Sequence, residues 1–154
     1  VPPADFIQLA EETGLITPIG SWMLGRACAI AAGWPVPVRV AVNMSPRQIK
    51  SRGLYDEVAA VLADTGLAPD RLELEITESV LLEETEEIRD TLTRLKGLGV
   101  KISMDDFGTG YSSLSCLRSF PFDKIKIDQS FIRTMATAPE TATIVRSVLD
   151  MARA

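Results

Sequence analysis

The chain has 154 residues, a mass of 16.8 kDa and a net charge of −5, with 46% hydrophobic and 24% charged residues. That balance describes one ordinary globular domain or a large piece of one. An acidic pI near 4.8 argues against a DNA-coating protein, whose affinity comes from a basic face, but a small phosphate-containing ligand stays possible where a metal carries the positive charge.

Histidine is absent. Ser-His-Asp and Cys-His nucleophiles, His-ligated zinc and imidazole bases are therefore excluded. The two cysteines, Cys28 and Cys116, show no CxxC spacing, so a reducing cytoplasm is expected rather than a disulfide framework. No apolar run approaches the ~18–20 residues of a membrane span, and no basic, hydrophobic leader is seen, although the parent protein could still be tethered to a membrane.

In chain order, residues 3 to 13 read as a helix stopped at Gly14, and residues 18 to 32 as a second, ended by Gly33-Trp34-Pro35. A β-rich run spans 38 to 43, a helix 54 to 65, a strand 72 to 77 and a helix 84 to 98. A third strand covers 101 to 106, a short helix 112 to 119, a fourth strand 124 to 128, and a last helix starts at 141. Trp22, Trp34, Cys28 and Cys116 read as core residues, and the acidic run Glu83 to Glu87 as the solvated opening of a helix.

Strands alternating with helices indicate a parallel α/β sheet. The strands alternate internally as well. Val38, Val40 and Val42 oppose Arg39, Ala41 and Asn43, while Leu72, Leu74 and Ile76 oppose Glu73, Glu75 and Thr77. Ile102 and Met104 oppose Lys101, Ser103 and Asp105; Ile125 and Ile127 oppose Lys124, Lys126 and Asp128. Strands of a doubly wound sheet read as continuous apolar runs instead. A TIM-like (β/α)8 barrel with a polar lumen fits better, and this chain would cover about four of its βα units. Chemistry in such barrels sits at the C-terminal strand ends. Arg39, Glu73, Lys101 and Lys124 lie near strand starts and are expected to form ion pairs inside the barrel. Asn43, Glu75, Asp105, Asp106, Lys126 and Asp128 lie late in the strands and are expected to be functional, because clustered carboxylates need a neutralising cation.

The sharpest motif is Asp105-Asp106-Phe107-Gly108-Thr109-Gly110. Adjacent carboxylates leaving a strand can serve two metal ions, and the glycines permit a tight turn beside them. Two divalent ions about 3.5–4 Å apart form the usual clamp for displacement at phosphorus. Asn43 and Glu75 would add oxygen ligands from neighbouring strands, and an all-oxygen set selects Mg²⁺ or Mn²⁺. Lys126 among carboxylates is expected to stay charged and to orient water and phosphate, or else to form a lumen salt bridge.

VAVNMS (40–45), LELEITES (72–79), DDFGTGYSS (105–113) and FPFDKIKID (120–128) together resemble the successive signatures of EAL domains, bacterial phosphodiesterases that linearise cyclic di-GMP. The resemblance covers essentially the whole chain and implies a TIM-like barrel with two Mg²⁺ or Mn²⁺ ions, hydrolysis to pGpG, and inhibition by calcium. It implies metal ligation by Asn43, Glu75, Asp105 and Asp106, with Asn43 and Asp106 also facing substrate. It makes Lys126 the contact of the attacking water, and Glu78 the residue that steadies the loop 107–113, a loop that also shapes dimer contacts. A homodimer fused to GGDEF or sensor domains is implied as well. The Glu-Ala-Leu strand, its following arginine, and a later glutamate and glutamine are not among these residues, so residues 1–154 are expected to be a partial domain and inactive alone. A sensor that binds cyclic di-GMP without cleaving it is the alternative. A Mg²⁺-dependent barrel enzyme using lysine to abstract a proton beside a carboxylate fits the Asp105-Asp106 pair less well.

Overall fold

The computed structural model of the chain describes residues 1–83, 85–108, 120, 122–134 and 138–153. Four strands form one parallel sheet: β1 (Val40–Met44), β2 (Leu72–Thr77), β3 (Lys101–Phe107) and β4 (Lys124–Ile127). Their spatial order is β1-β2-β3-β4, the same as their sequence order. Every crossover therefore advances by one strand in one direction, as in the wall of a barrel. A doubly wound sheet would reverse direction at a switch point.

The helices are α1 (Ile7–Thr13), α2 (Ile16–Ala32), α3 (Pro46–Ile49), α4 (Leu54–Thr65), α5 (Glu86–Gly97), α6 (Gln129–Thr134) and α7 (Pro139–Arg153). Short 3-10 turns at Pro3–Asp5, Pro69–Arg71 and Glu78–Glu83 complete the connections. Each of the long helices α2, α4 and α5 buries one stripe against the sheet. Leu24, Cys28 and Ala31 come from α2, Leu54, Val58 and Leu62 from α4, and Ile88, Leu92 and Leu95 from α5. They pack on Val42, Met44, Leu72, Leu74, Ile76, Ile102 and Met104 to form one core. Each fully buried side chain of this size contributes about 1.5–3 kcal/mol.

At the start of α3, Ser45 accepts from the Gln48 backbone and the Gln48 side chain accepts from the Ser45 backbone, a reciprocal cap. This fold seats the Gln48 amide directly on α2. A Cβ on Gly20 would lie 2.0 Å from Gln48 Nε2, so a larger residue there would displace the Gln48 amide.

Several expectations change. The first helix divides into a 3-10 turn and α1, the second begins at Ile16 rather than at residue 18, and β1 begins at Val40 rather than Val38. Trp22 is not a core residue: it is 70% exposed on the outer face of α2, and Trp34 is 37% exposed. Their apolar character misled because the buried stripe of α2 runs instead through Ile16, Gly20, Leu24, Cys28 and Ala31. Arg39 forms no lumen ion pair among the described residues; its Nε donates to the Asp70 carbonyl, 3.1 Å away. The expected helix at 112–119, Cys116 and the loop beyond Gly108 lie outside the described residues. Among the described residues no single helix is long and apolar enough to cross a membrane.

Candidate active site

The polar face of the sheet is closed over by its own charges. Glu73 and Glu75 on β2 are both buried, Glu75 being 7% exposed. Register sets Asn43 beside Glu75, Glu75 beside Ser103, and Ser103 beside Lys124. Ser103 is small, so lysines from β4 reach across β3 to the carboxylates of β2. Lys124 pairs with Glu73. Lys126 pairs with Glu75 and lies 3.5 Å from Asp105 Oδ2. The Lys124 pair fulfils the lumen role expected of it, and Lys101 forms its pair with Asp123 at 3.4 Å.

The β3–β4 ladder shifts where the two aspartates sit. Met104 pairs with Ile125 and Phe107 with Ile127, so Asp105 and Asp106 together oppose Lys126 alone. This is a β-bulge, a device that re-aims side chains beside functional sites. Asp106 takes a left-handed backbone (φ 55°), and its N–H donates to Asp105 Oδ1 at 3.0 Å. The turn is completed by Gly108 at φ 102°. The Gly108 N–H donates to Oε2 of Glu78, a carboxylate 3% exposed, at 2.9 Å. On the far side, the Asp128 N–H donates to the Phe107 carbonyl at 3.2 Å, and Oδ1 of Asp128 accepts from the Ser130 N–H at the start of α6.

The electrostatics follow from this crowding. Desolvation, then the neighbouring charges of Asp105 and Asp128, push the Asp106 carboxyl above its ordinary range despite the pull of Lys126. Desolvation opposes the charge on Lys126, but the hydrogen bond and charge of Glu75, with Asp105, outweigh it and keep the ammonium protonated above its usual range. Hydrogen bonds from Ser130 hold Asp128 low.

The structure thus brings Glu75, Asp105 and Lys126 into contact, places Asn43 on the adjacent strand beside Glu75, and sets Asp106 on the bulge. Among the described residues, no three His, Cys, Asp or Glu side chains converge into a preformed cation cage. The donor set itself fits a hard divalent ion: Asn43, Glu75, Asp105 and Asp106 all offer oxygen, and such an ion would offset the desolvation and the charges of Asp105 and Asp128 that raise Asp106. Asn43 is exposed and also lines a cavity of about 540 Å³ with Phe6, Ile19, Met23 and Gln48. Sequence reading missed two contributors, Ser103 as the gap between β2 and β4, and the packing around Gly108. The alternation of β3 carried a signal for Ser103; nothing local marked the second.

A sequential parallel β/α wall with an acidic, lysine-bridged rim at the strand ends is part of a TIM-like barrel. The EAL domain family model matches residues 1–154, and the chain belongs to that family. A signaling protein of Caulobacter vibrioides is 56% identical over 99% of this chain and 19% of its own length. The cyclic di-GMP phosphodiesterase PdeR of Escherichia coli is 39% identical over 100% of this chain and 24% of its own length. The solved structure of PaMucR phosphodiesterase with c-di-GMP superposes with a TM-score of 0.91 at 39% identity, covering 99% of this chain and 64% of that one. The chain thus spans about a fifth to a quarter of the length of these curated relatives.

Proposed function

We propose that this chain is the central part of an EAL phosphodiesterase domain that hydrolyses cyclic di-GMP to linear pGpG. One observation carries the reading: Asn43, Glu75 and the Asp105-Asp106 bulge stand on three adjacent strand ends, opposite one lysine from the fourth. Relatives named as cyclic di-GMP phosphodiesterases support it.

Asn43, Glu75, Asp105 and Asp106 would hold two divalent ions, Mg²⁺ or Mn²⁺. When bound, such ions lower the pKa of water and neutralise charge on phosphate oxygens. Lys126, kept protonated by Glu75 and Asp105, is a hydrogen-bond donor and a positive charge rather than a base. Its role is to orient the attacking water and to meet the negative charge that grows on phosphate. Glu78 holds the Gly108 backbone and so keeps the turn after the aspartates in place. The same reading gives a homodimeric signalling protein whose EAL domain faces the cytoplasm and is joined to GGDEF or sensor domains, as the fused relative named a bifunctional diguanylate cyclase/cyclic di-GMP phosphodiesterase supports.

The test is hydrolysis of cyclic di-GMP by the full-length protein with Mg²⁺, followed by chromatography of pGpG, with Ca²⁺ as the expected inhibitor. Micromolar binding without any metal-dependent pGpG would establish the sensor alternative instead.

A further inference from the structure

A non-glycine residue in a left-handed backbone persists only where its surroundings over-determine it. Asp106 is such a residue, and it carries a proposed metal ligand. Three restraints around it have been described: the Asp105 carboxylate on its own N–H, Glu78 on the Gly108 N–H, and the Asp128 N–H on the Phe107 carbonyl. A fourth restraint is steric. Phe131 lies on α6, and its ring is seated against Gly108. A Cβ on Gly108 would stand 2.3 Å from Cε2, 2.5 Å from Cζ and 3.1 Å from Cδ2 of that ring. Gly108 is therefore favoured twice, by its φ of 102° and by the Phe131 ring atoms that occupy the space a Cβ would take.

The ring is delivered to that position by backbone bonding. Asp128 ends β4, its N–H is fastened to Phe107, its side chain accepts from Ser130, and its carbonyl accepts from the Phe131 N–H at 3.1 Å. One short segment thus ties the far end of β3 to the first turn of α6 and sets the Phe131 ring against the turn at Gly108.

We propose that Phe131 is a positioning residue for the metal-binding aspartates: its ring clamps Gly108 between α6 and Glu78, which holds the β3 bulge in the shape that presents Asp105 and Asp106. The proposal rests on the phosphodiesterase reading and deepens it. Removing the ring frees the Gly108 side of the turn, and the bulge relaxes toward an ordinary strand end in which Asp106 no longer points as it does here. Outer groups that orient metal ligands typically change metal affinity by about 10–100-fold.

The experiment uses the full-length protein and reads free Mn²⁺ by electron paramagnetic resonance, together with kcat and KM for cyclic di-GMP. Phe131→Ala should weaken Mn²⁺ binding about tenfold or more and lower kcat with little change in KM, while Phe131→Tyr, which keeps the ring, should stay within about threefold of the parent. Val148→Ala, a cavity in the buried face of α7, serves as the control that lowers thermal stability without moving Mn²⁺ affinity. Should Phe131→Ala unfold the protein, Phe131→Leu gives the same comparison with less volume removed. Folded Phe131→Ala or Phe131→Leu protein that binds Mn²⁺ as tightly as the parent would overturn the proposal. A Phe131→Ala protein that loses thermal stability as Val148→Ala does, with Mn²⁺ affinity at the parent value, would reduce Phe131 to a purely structural role and likewise overturn the proposal. A parent that binds Mn²⁺ yet yields no pGpG would defeat the hydrolase reading while leaving the clamp measurable, so the two failures are separable.

Discussion

At the residue scale, the rim works through a few charged atoms with unequal neighbours. Asp105 touches Lys126 and donates structure to the next residue by accepting its N–H, so it serves both charge and geometry. Asp105→Asn in the full-length protein keeps the shape but removes the charge; on the proposed role as a metal ligand, turnover should fall below about a tenth of the parent rate. Retention of more than that in a pGpG assay would remove Asp105 from the site. Lys126→Met leaves Glu75 buried beside Asp105 with no cation to compensate, and removal of one partner of a buried pair is destabilising by about 3–5 kcal/mol where burial is complete. Lys126 is itself about a third exposed, so solvent screening discounts this to the lower end of that range or less. The expected signature is a modest drop in thermal midpoint with a far larger drop in kcat. Equal, small effects on both would mark Lys126 as structural.

At the element scale, Asp123 fastens the start of β4 to the sheet. Its carboxylate accepts from the Ile102 N–H at 2.9 Å and from Lys96 Nζ at 2.7 Å, and its own N–H donates to the Ile102 carbonyl at 2.8 Å. Desolvation alone would raise its pKa, but the bonds from Lys96 and Ile102 and the Lys96 charge outweigh that and set it below 3.8. A carboxylate lowered on folding stabilises the native state fully above its unfolded pKa, and that contribution disappears as pH falls through the folded value. Urea midpoints of the parent and Asp123→Asn should therefore differ at pH 7 and converge as pH drops below about 3.8. A constant gap across that window would contradict the linkage. Helix α5 offers a second check, because Thr85 caps it by accepting from the Ile88 N–H. Thr85→Ala should cost about 1 kcal/mol in urea denaturation.

At the scale of the whole molecule, stability comes from one core beneath α2, α4 and α5, in which β2 is buried on both faces. Leu74→Ala at its centre should cost about 2–5 kcal/mol, read by denaturant unfolding, because the neighbouring strands cannot collapse into the gap. The strand order leaves β1 and β4 as the two edges of the described sheet. Unpaired strand edges invite association, and Trp22, Met23 and Ile30 stand exposed on α2. Residues 1–154 produced alone should therefore scatter light as an associating species. A monodisperse monomer would contradict that expectation.

Much of the fold was legible because its signals are local. The alternation of β2 and β3, the helix stop at Gly66 and the Asp105-Asp106 pair are each written within a few residues, where period and turn chemistry operate. From these alone came the parallel sheet, the barrel reading, and the candidate set Asn43, Glu75, Asp105, Asp106 and Lys126. Other features joined residues far apart. Glu78 meets Gly108 across 30 positions, Lys126 meets Asp105 across 21, and Phe131 reaches Gly108 only because β4 lies beside β3. The bulge that turns Asp106 left-handed, the exposure of Trp22 and the choice of Asp70 as the partner of Arg39 also depend on which surfaces meet. Sequence by itself determined which residue types line the strand ends, because backbone periodicity assigns faces locally. Tertiary structure decided which of them touch and how the aspartates are aimed, because strand register and packing bring distant residues within bonding distance.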